Sequence, residues 1–431
     1  MIRNRTVNNA AWIIGCKIIQ ALLGLLITML SARYLGPSKY GIFNYAASIV
    51  AFFVPIMQLG LNSTLVREIL DYPDREGETL GTALIMNFAS SIACIIGTVI
   101  FTLFVNAGET ETIIFCTLYS SLLIFQALEM IQYWYQAKLL SKYTSIVMLV
   151  SYGVVSIYKI FLLITKSHIF MFAISQAMDF CIIAISLIVI YFKVGTQKLS
   201  FSLKRACEMI SRSKHYILSG IMVTVFAETD KIMLKIMLDE AAVGYYSSAA
   251  NCTAMTTFFF VAIIDSFRPS ILEGKNENEL VFENRLKLLY SLIIFLALLQ
   301  SIFITIFAKP IVSILYGSQY TQTVGVLRIL VWYTTFSYIG SVKDIWILAN
   351  DKQSWLWLIN LSGAISNITL NSILIPMLGI DGAAIASLVT QLLTNVVVVC
   401  ILKPIRPNSR IMIQSLNPKY LISSAKKLLK K

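Results

Sequence analysis

Charged residues are scarce in this chain, and their scarcity defines the class of protein. Of 431 residues, 13% are charged and 57% are hydrophobic, whereas about a quarter of a soluble chain is charged. Apolar runs of around 20 residues recur along the whole sequence, and each is long enough to cross about 30 Å of hydrocarbon as a helix. A membrane β-barrel would instead show short segments of alternating polarity. The sequence therefore predicts an all-α integral membrane protein.

Histidine and closely spaced cysteines are also nearly missing, and this excludes two further kinds of site. The chain has two histidines, His168 and His215, and seven cysteines that lie far apart with no CxxC pair. Neither a disulfide framework nor a metal site is therefore expected, and no cofactor is expected beyond a transported H⁺ or Na⁺. The formal charge of +13 does not predict nucleic-acid binding, because basic residues in a membrane protein collect on one side of the bilayer.

Twelve apolar runs, bounded by charges, glycine and proline, predict twelve transmembrane helices. The first run follows Arg3 and Arg5 and continues past Leu30 without a small-residue cleavage site, so we expect a retained span and not a signal peptide. The connections are short except for 193–214 and 265–285. The predicted spans are approximately 8–32, 42–61, 80–105, 113–137, 143–165, 169–192, 215–238, 243–264, 286–308, 323–348, 353–375 and 382–402.

The distribution of lysine and arginine supports this count. The N-terminus, the even-numbered connections and the C-terminal tail together hold 25 of the 35 basic residues. The opposite side holds four, Arg33, Lys39, Lys166 and Lys309. By the positive-inside rule, both termini are predicted to be cytoplasmic.

An internal repeat divides the predicted spans into two halves. The segment 35–48 (LGPSKYGIFNYAAS) aligns with 238–251 (LDEAAVGYYSSAAN) at an offset of 203, which pairs Gly41 with Gly244. Both segments follow the first span of a six-span unit, and because six is even the two units enter the membrane from the same side. The sequence thus predicts two parallel six-helix bundles. The predicted domains are a bundle at 1–192, a basic cytoplasmic linker at 193–214, a second bundle at 215–402 and a basic cytoplasmic tail at 403–431.

The seventh predicted span carries an unusual stripe of charge. Glu228, Asp230, Lys231 and Lys235 lie within eight residues of an otherwise apolar stretch, although each charge near a membrane centre costs roughly 2.5–3.5 kcal/mol. At about 100° per residue, Glu228, Lys231 and Lys235 share one face of the helix. That face must look into protein or water. It either lines a substrate path or forms buried ion pairs.

Two other intramembrane positions are candidates for function. Lys17, in the first span, has no acidic residue at i±3 or i±4, so its partner must be another helix, a ligand or water. Asp179, in the sixth span, is a further carboxylate that could bind a proton or sodium ion. Asp179 and Lys159 could instead pair across neighbouring helices. Aromatic belts at the membrane interfaces are expected to account for most of the aromatic groups, with stacking on sugar rings as the alternative; the groups are Tyr133-Trp134-Tyr135, Trp332-Tyr333, Trp346 and Trp355-Leu356-Trp357.

The first predicted connection carries a family resemblance. The residues Ala32-Arg33-Tyr34-Leu35-Gly36-Pro37, followed by Tyr40-Gly41-Ile42-Phe43, resemble the first-loop signature of the polysaccharide flippases. This family belongs to the multidrug/oligosaccharidyl-lipid/polysaccharide exporter superfamily. The span count, the cytoplasmic ends and the chain length match the resemblance over the whole chain.

The resemblance implies a V-shaped pair of six-helix bundles in the bacterial cytoplasmic membrane. It implies translocation of an undecaprenyl-diphosphate-linked oligosaccharide, in O-antigen or capsule synthesis, by alternating access with possible H⁺ or Na⁺ coupling. The implied partners are the polyprenyl-diphosphate-linked glycan and membrane lipids, with glycan polymerase and chain-length proteins as further candidates and no nucleic acid. The expected substrate-binding cations are Lys17, Arg33, Lys231 and Lys235, and the ion-coupling candidates are Glu228, Asp230 and Asp179.

Two alternatives remain at this point. A drug or metabolite cation antiporter of the same superfamily would share the bundles but lack the Ala-Arg-Tyr-Leu-Gly-Pro signature. A membrane polymerase or acyltransferase would need a sizeable outer loop or a catalytic cluster. The predicted outer connections are a few residues each and hold no His-Asp or Asp-Asp cluster, so an enzyme is not expected.

Overall fold

All regular secondary structure in the described residues is helical, which confirms the predicted all-α membrane class. A computed structural model describes the backbone of residues 2–195 and 197–416, and side chains within these ranges except 2–14, 16–18 and 22. The helices are α1 (Ile2–Met57), α2 (Leu65–Asp71), α3 (Glu76–Val105), α4 (Thr110–Ser120), α5 (Leu122–Leu128), α6 (Gln132–Ala137), α7 (Ser141–Ile164), α8 (Ile169–Val194), α9 (Leu203–Met237), α10 (Glu240–Glu277), α11 (Glu279–Leu315), α12 (Thr323–Ala349), α13 (Leu356–Leu378), α14 (Ile380–Leu392), α15 (Val398–Ile401) and α16 (Arg406–Ser415). A π-helical turn, Leu393–Val397, joins α14 to α15.

Nine helical stretches in the described part of the chain are long and apolar enough to cross a membrane. The first of them, Ile19–Met57, overlaps both of the first two predicted spans. The seventh and tenth predicted spans lie in α9 and α12, which are 35 and 27 residues long and are not among these nine stretches. The chain is therefore a multi-pass membrane protein. The count of twelve spans is consistent with these helices and stays a prediction.

The repeated segment marks a helix break in both of its copies. In the first copy, α1 is interrupted at Gly36, which has φ 70° and ψ 172° and is followed by Pro37. A positive φ of this kind favours glycine, which has no Cβ to clash with the backbone. In the second copy, Asp239 lies between the end of α9 and the start of α10, and its carboxylate accepts a hydrogen bond from the Ala242 N–H at 2.7 Å. Gly36 and Asp239 are 203 residues apart, the offset of the sequence repeat.

The chain divides into two compact units, Met1–Glu228 and Thr229–Lys431. The boundary falls inside α9, beyond the start of the second bundle expected at 215. The first unit has a core of side chains from α2, α3, α6, α8 and the beginning of α9. Trp134 and Tyr135, 2% and 0% exposed, are part of this core and do not form an exposed belt, whereas Trp357 is 56% exposed.

The second unit is built on α10, α11 and α12. The rings of Phe260 and Tyr338 stack with centroids 4.0 Å apart in a core that also receives α16. The side chain of Asn408 in α16 bonds to the Tyr290 hydroxyl, and the Ser291 hydroxyl donates to the Ser415 carbonyl at 2.6 Å. The beginning of the predicted tail is therefore a packed helix. The rest of the predicted tail, 417–431, lies outside the described residues.

The predicted linker is attached to the first unit by specific hydrogen bonds. The backbone N–H of Gly77, in α3, donates to the Gln197 side chain at 3.0 Å, and the Ser200 N–H donates to the Gly77 carbonyl at 3.3 Å. The Ser202 N–H donates to the Thr82 hydroxyl at 3.1 Å. The described linker residues thus cover the beginning of α3 and lead directly into α9.

Candidate functional site

Asp230 is the centre of a buried polar site in the second unit. It lies on α9, is 4% exposed, and accepts four hydrogen bonds from three other helices. The side-chain amides of Asn367 and Asn371, on α13, donate to Oδ1 at 3.0 and 2.6 Å. Tyr246, on α10, donates to Oδ2 at 2.5 Å, and the Ser387 hydroxyl, on α14, also donates to Oδ2. We call these five residues the Asp230 site.

The local sequence explains why these side chains meet. Asn367 and Asn371 are four residues apart and so project from one face of α13; the Asn371 amide also donates to Asn367 Oδ1 at 3.1 Å. The hydroxyls of Tyr246 and Ser387 are 3.2 Å apart. All four donors are neutral, so within the described residues the charge of Asp230 is met by hydrogen bonds alone. Burying a carboxylate in this way is costly unless it is fully hydrogen-bonded or binds a cation.

The oxygen atoms of the site have the chemistry of a hard-cation site. An ionised carboxylate offers about four acceptor positions, and all four are used. The amide oxygen Oδ1 of Asn371 is buried and has no hydrogen-bond partner. Carboxylate, amide and hydroxyl oxygens are the ligands that hard cations prefer. The Asp230 site thus offers the kind of oxygen ligands that a small cation prefers, and ion coupling at Asp230 stays a prediction.

The other predicted ion-coupling residues lie in the first unit. Glu228 is half-buried and accepts a hydrogen bond from the Ser48 hydroxyl, on α1, at 2.7 Å. Asp179, on α8, accepts from the Ser151 hydroxyl, on α7, at 2.6 Å. Whether either carboxylate exchanges an ion remains a prediction.

Asp179 and Lys159, which could pair across neighbouring helices, have separate hydrogen-bond partners in the first unit as described, and their pairing stays a prediction. The two residues do lie on the neighbouring helices α8 and α7. However, the Lys159 ammonium donates to the Gln176 side chain at 2.7 Å, while Asp179 accepts from Ser151. Gln176, which lies about one turn before Asp179 on α8, is therefore the hydrogen-bond partner of Lys159.

The predicted substrate-binding cations lie in different surroundings. Arg33 is exposed in α1, three residues before the break at Gly36, and Lys231 is half-buried on α9. Lys235 is 7% exposed and lies 3.1 Å from the Glu240 carboxylate. The side chain of Lys17 is outside the part of the chain whose side chains the structure describes. Their contact with a substrate stays a prediction.

The neutral members of the Asp230 site were not predicted from the sequence, because they carry no charge that would mark them in an apolar span. One signal was present: α13 contains the run Asn-Ile-Thr-Leu-Asn, two asparagines at i,i+4 in an otherwise apolar span. Polar residues inside a membrane usually face protein or water. Within the described residues, no group of three or more His, Cys, Asp or Glu could hold a metal ion.

The described residues define a multi-pass helical membrane protein with a buried polar site in its second unit. Residues 6–275 match the family described as "Polysaccharide biosynthesis protein". Because this match covers more than half of the chain, the protein belongs to that family.

Two relatives and two solved structures are similar to the chain. The capsular polysaccharide biosynthesis protein CapF of Staphylococcus aureus is 22% identical over 89% of this chain and 96% of its own length. The probable low-salt glycan biosynthesis flippase Agl15 of Haloferax volcanii is 26% identical over 45% of this chain. The chain spans only 42% of the length of Agl15 in that match.

The solved structures share the fold over nearly the whole chain. The lipid II flippase MurJ, in an inward closed conformation, has a TM-score of 0.74, with 17% identity over 94% of this chain and 90% of its own. A multidrug resistance MATE family transporter of the MOP superfamily, in an inward-facing conformation, has a TM-score of 0.70, with 13% identity over 92% and 95%. These similarities establish a fold common to flippases and drug transporters.

Proposed function

We propose that this protein is a flippase that moves a polyprenyl-diphosphate-linked oligosaccharide across the bacterial cytoplasmic membrane. The observation that carries the proposal is the family match over residues 6–275, extended by the similarity to CapF across 89% of the chain. The names of Agl15 and MurJ describe flippases. The basic residues predicted on one side support cytoplasmic termini. No catalytic role is proposed for any residue.

We further propose that the Asp230 site couples transport to an ion gradient. The four donors fit the ionised carboxylate. A proton on Asp230 would turn one acceptor position into a donor, so one of the four hydrogen bonds would have to break. A sodium ion would likewise draw the carboxylate oxygens away from their donors.

Ion binding at Asp230 therefore changes the contacts that hold α9 against α10, α13 and α14. Two packings of these helices, one for each ion-binding state, would provide the alternation that transport requires. An ion that binds one packing more tightly shifts the equilibrium toward it by its differential affinity. The unpartnered Asn371 Oδ1 favours a cation that takes oxygen ligands.

The diphosphate of the proposed substrate requires cationic partners. Arg33, Lys231 and Lys235 are the described candidates, and Lys17 is a fourth from the sequence. Charge-assisted hydrogen bonds from lysine or arginine to phosphate are about twice as strong as neutral ones. In a membrane protein such contacts also offset the cost of burying the cation.

The flippase proposal is tested by deleting the gene in its host and locating lipid-linked oligosaccharides. Repeat units should accumulate on the cytoplasmic leaflet, and the chain supplied in trans should restore surface glycan. Intact surface glycan without accumulation would contradict the proposal. If the purified protein exports a cationic drug and does not move the glycan lipid, the alternative function, a drug or metabolite cation antiporter, is favoured.

Ion coupling is tested separately with purified protein. Thermal unfolding in detergent is compared in sodium chloride and choline chloride, and at acidic and neutral pH, for the parent chain, Asp230→Asn and Asp179→Asn. We expect a sodium- or proton-dependent shift of the unfolding midpoint that Asp230→Asn abolishes and Asp179→Asn retains. Loss of the shift in Asp179→Asn alone would place coupling in the first unit.

A further inference from the structure

A cavity of about 670 Å³ opens in the second unit, away from the Asp230 site. It is formed where three connections meet: the turn from α9 to α10, the start of α12 and the turn from α13 to α14. All three are odd-numbered connections in the predicted topology, so they lie on the side opposite the termini. Cavities of about 300–1,000 Å³ are typical of sites that bury small ligands.

The polar groups of the cavity are carboxylates, a hydroxyl and an amide. Asp239, Asp381, Thr321 and Gln322 line it, together with the ring of Tyr245. No lysine, arginine or histidine is among the lining residues. A phosphate or a uronic acid would meet like charge there, whereas hydroxyl and amine donors would meet acceptors.

The two carboxylates lie at the starts of helices, and the backbone of α10 holds one of them, Asp239, in place. Asp239 caps α10 through its Oδ1, which fixes the direction of its side chain. Asp381 lies in the first turn of α14, where the helix dipole favours a negative charge. A Cβ atom at Gly325, in the first turn of α12, would lie 3.0 Å from Asp381 Oδ1, so the absence of a side chain at Gly325 lets the carboxylate approach that helix.

We infer that this cavity binds a neutral or amino sugar residue of the transported glycan at its outer end. This inference rests on the proposed function for the identity of the ligand. Adjacent sugar hydroxyls match the paired oxygens of a carboxylate, an amino group adds charge attraction, and the Tyr245 ring supplies an apolar wall for the carbon face of a pyranose. Because both charged groups of the cavity are carboxylates, we expect acidic sugars to bind more weakly than neutral or amino sugars.

Saturation-transfer NMR on the purified protein in detergent tests the inference without any transport step. The probes are glucose, glucosamine, N-acetylglucosamine and glucuronic acid at equal concentrations. We expect saturation transfer to one or more of the first three and a weaker signal for glucuronic acid. Asp381→Asn should weaken binding by about tenfold, the effect of losing one charge-assisted partner.

Two further variants control the experiment. Gly325→Val should fill the cavity and abolish binding, and the isosteric Asp381→Asn serves if Gly325→Val does not fold. Asp351→Asn, an exposed carboxylate in the turn between α12 and α13 of the same unit, should bind as the parent does. No transfer to any sugar, preference for glucuronic acid, or equal signals in all variants would overturn the inference. If the cavity binds sugar but lipid-linked oligosaccharide does not accumulate on the cytoplasmic leaflet of the deletion strain, the flippase proposal is contradicted and the sugar site is supported.

Discussion

The guanidinium of Arg205 lies 2.7 Å from the carboxylate of Glu68, and both side chains are almost fully buried, at 7% and 5% exposure. The other oxygen of Glu68 is 2.9 Å from Arg212, which is half-exposed. Tyr72 lies against both arginines, with the Arg205 guanidinium carbon 4.2 Å from its ring centroid. The hydrogen bond from Arg212 lowers the pKa of the Tyr72 hydroxyl below its usual value. The basic connection predicted at 193–214 is thus held in the first unit by the buried carboxylate of Glu68 as well as by its hydrogen bonds to α3.

Glu68→Ala tests whether this attachment supports the fold. The variant removes the buried acidic partner of Arg205 and leaves it with Glu208, which is 43% exposed and 3.3 Å away. The cost should therefore lie below the roughly 3–5 kcal/mol of a fully uncompensated buried pair. We expect a clearly lower unfolding midpoint in detergent and reduced abundance in the membrane. Arg67→Ala is the matched control, because its i,i+4 pair with Asp71 is exposed, at 86% and 48%, and such pairs contribute about 0.3–0.5 kcal/mol. Similar midpoints for the two variants would mean that the buried pair is not a structural anchor.

Gly60→Ala tests the second attachment of α9. Gly60 has φ +66°, and a Cβ atom there would lie 2.5 Å from the Ser213 carbonyl oxygen, on α9. Both the backbone conformation and the clash oppose a side chain, so we expect a loss of about 1–3 kcal/mol. Gly153→Ala, within α7, meets nothing within 4 Å and should leave thermal stability unchanged or slightly raised. An equally unstable Gly153→Ala variant would remove the geometric explanation.

The class of fold could be predicted from the sequence, because membrane-spanning helices have strong sequence patterns. The bilayer requires apolar runs of about twenty residues and favours a one-sided distribution of Lys and Arg. The repeat is visible in the sequence itself and places Gly36 and Asp239 at equivalent helix breaks. The charged stripe likewise pointed to α9, where Asp230 accepts four hydrogen bonds.

The partners of these residues could not be predicted, because they depend on which helices pack together. Asn371 and Tyr246 are distant from Asp230 in sequence and carry no charge, so a search for ionisable residues passes over them. Lys159 has a neutral partner, Gln176, within reach on α8, and no sequence rule ranks it above Asp179. Trp134 resembles an interfacial aromatic until packing places it in a core.

Tyr246→Phe tests how strongly the Asp230 site holds the second unit together. The substitution removes a hydrogen bond to a buried carboxylate at 2.5 Å, and bonds to charged groups contribute about 1.5–3 kcal/mol. Tyr338→Phe, in the same unit and similarly buried, removes contacts to the neutral hydroxyls of Thr256 and Thr257 and should cost about 0.5–1.5 kcal/mol. Thermal unfolding of both variants in one detergent makes the comparison. A larger loss in Tyr338→Phe would mean that Asp230 is not the anchor of these helices.

Lys235 presents the sharpest test of a substrate-binding cation, because its ammonium has a protein partner 3.1 Å away in Glu240. If Lys235 also meets the diphosphate, Lys235→Ala should lower glycan export about tenfold, the loss expected for a charge-assisted contact, with membrane abundance near that of the parent. Lys231→Ala, on the same face of α9, should act in the same direction, and Lys235→Arg should keep most of the activity. Glu240→Gln separates the two roles, since it removes the ion pair and leaves the cation. Normal export in Glu240→Gln together with a defect in Lys235→Ala assigns the cation to the substrate, whereas equal defects in both variants assign it to the ion pair alone.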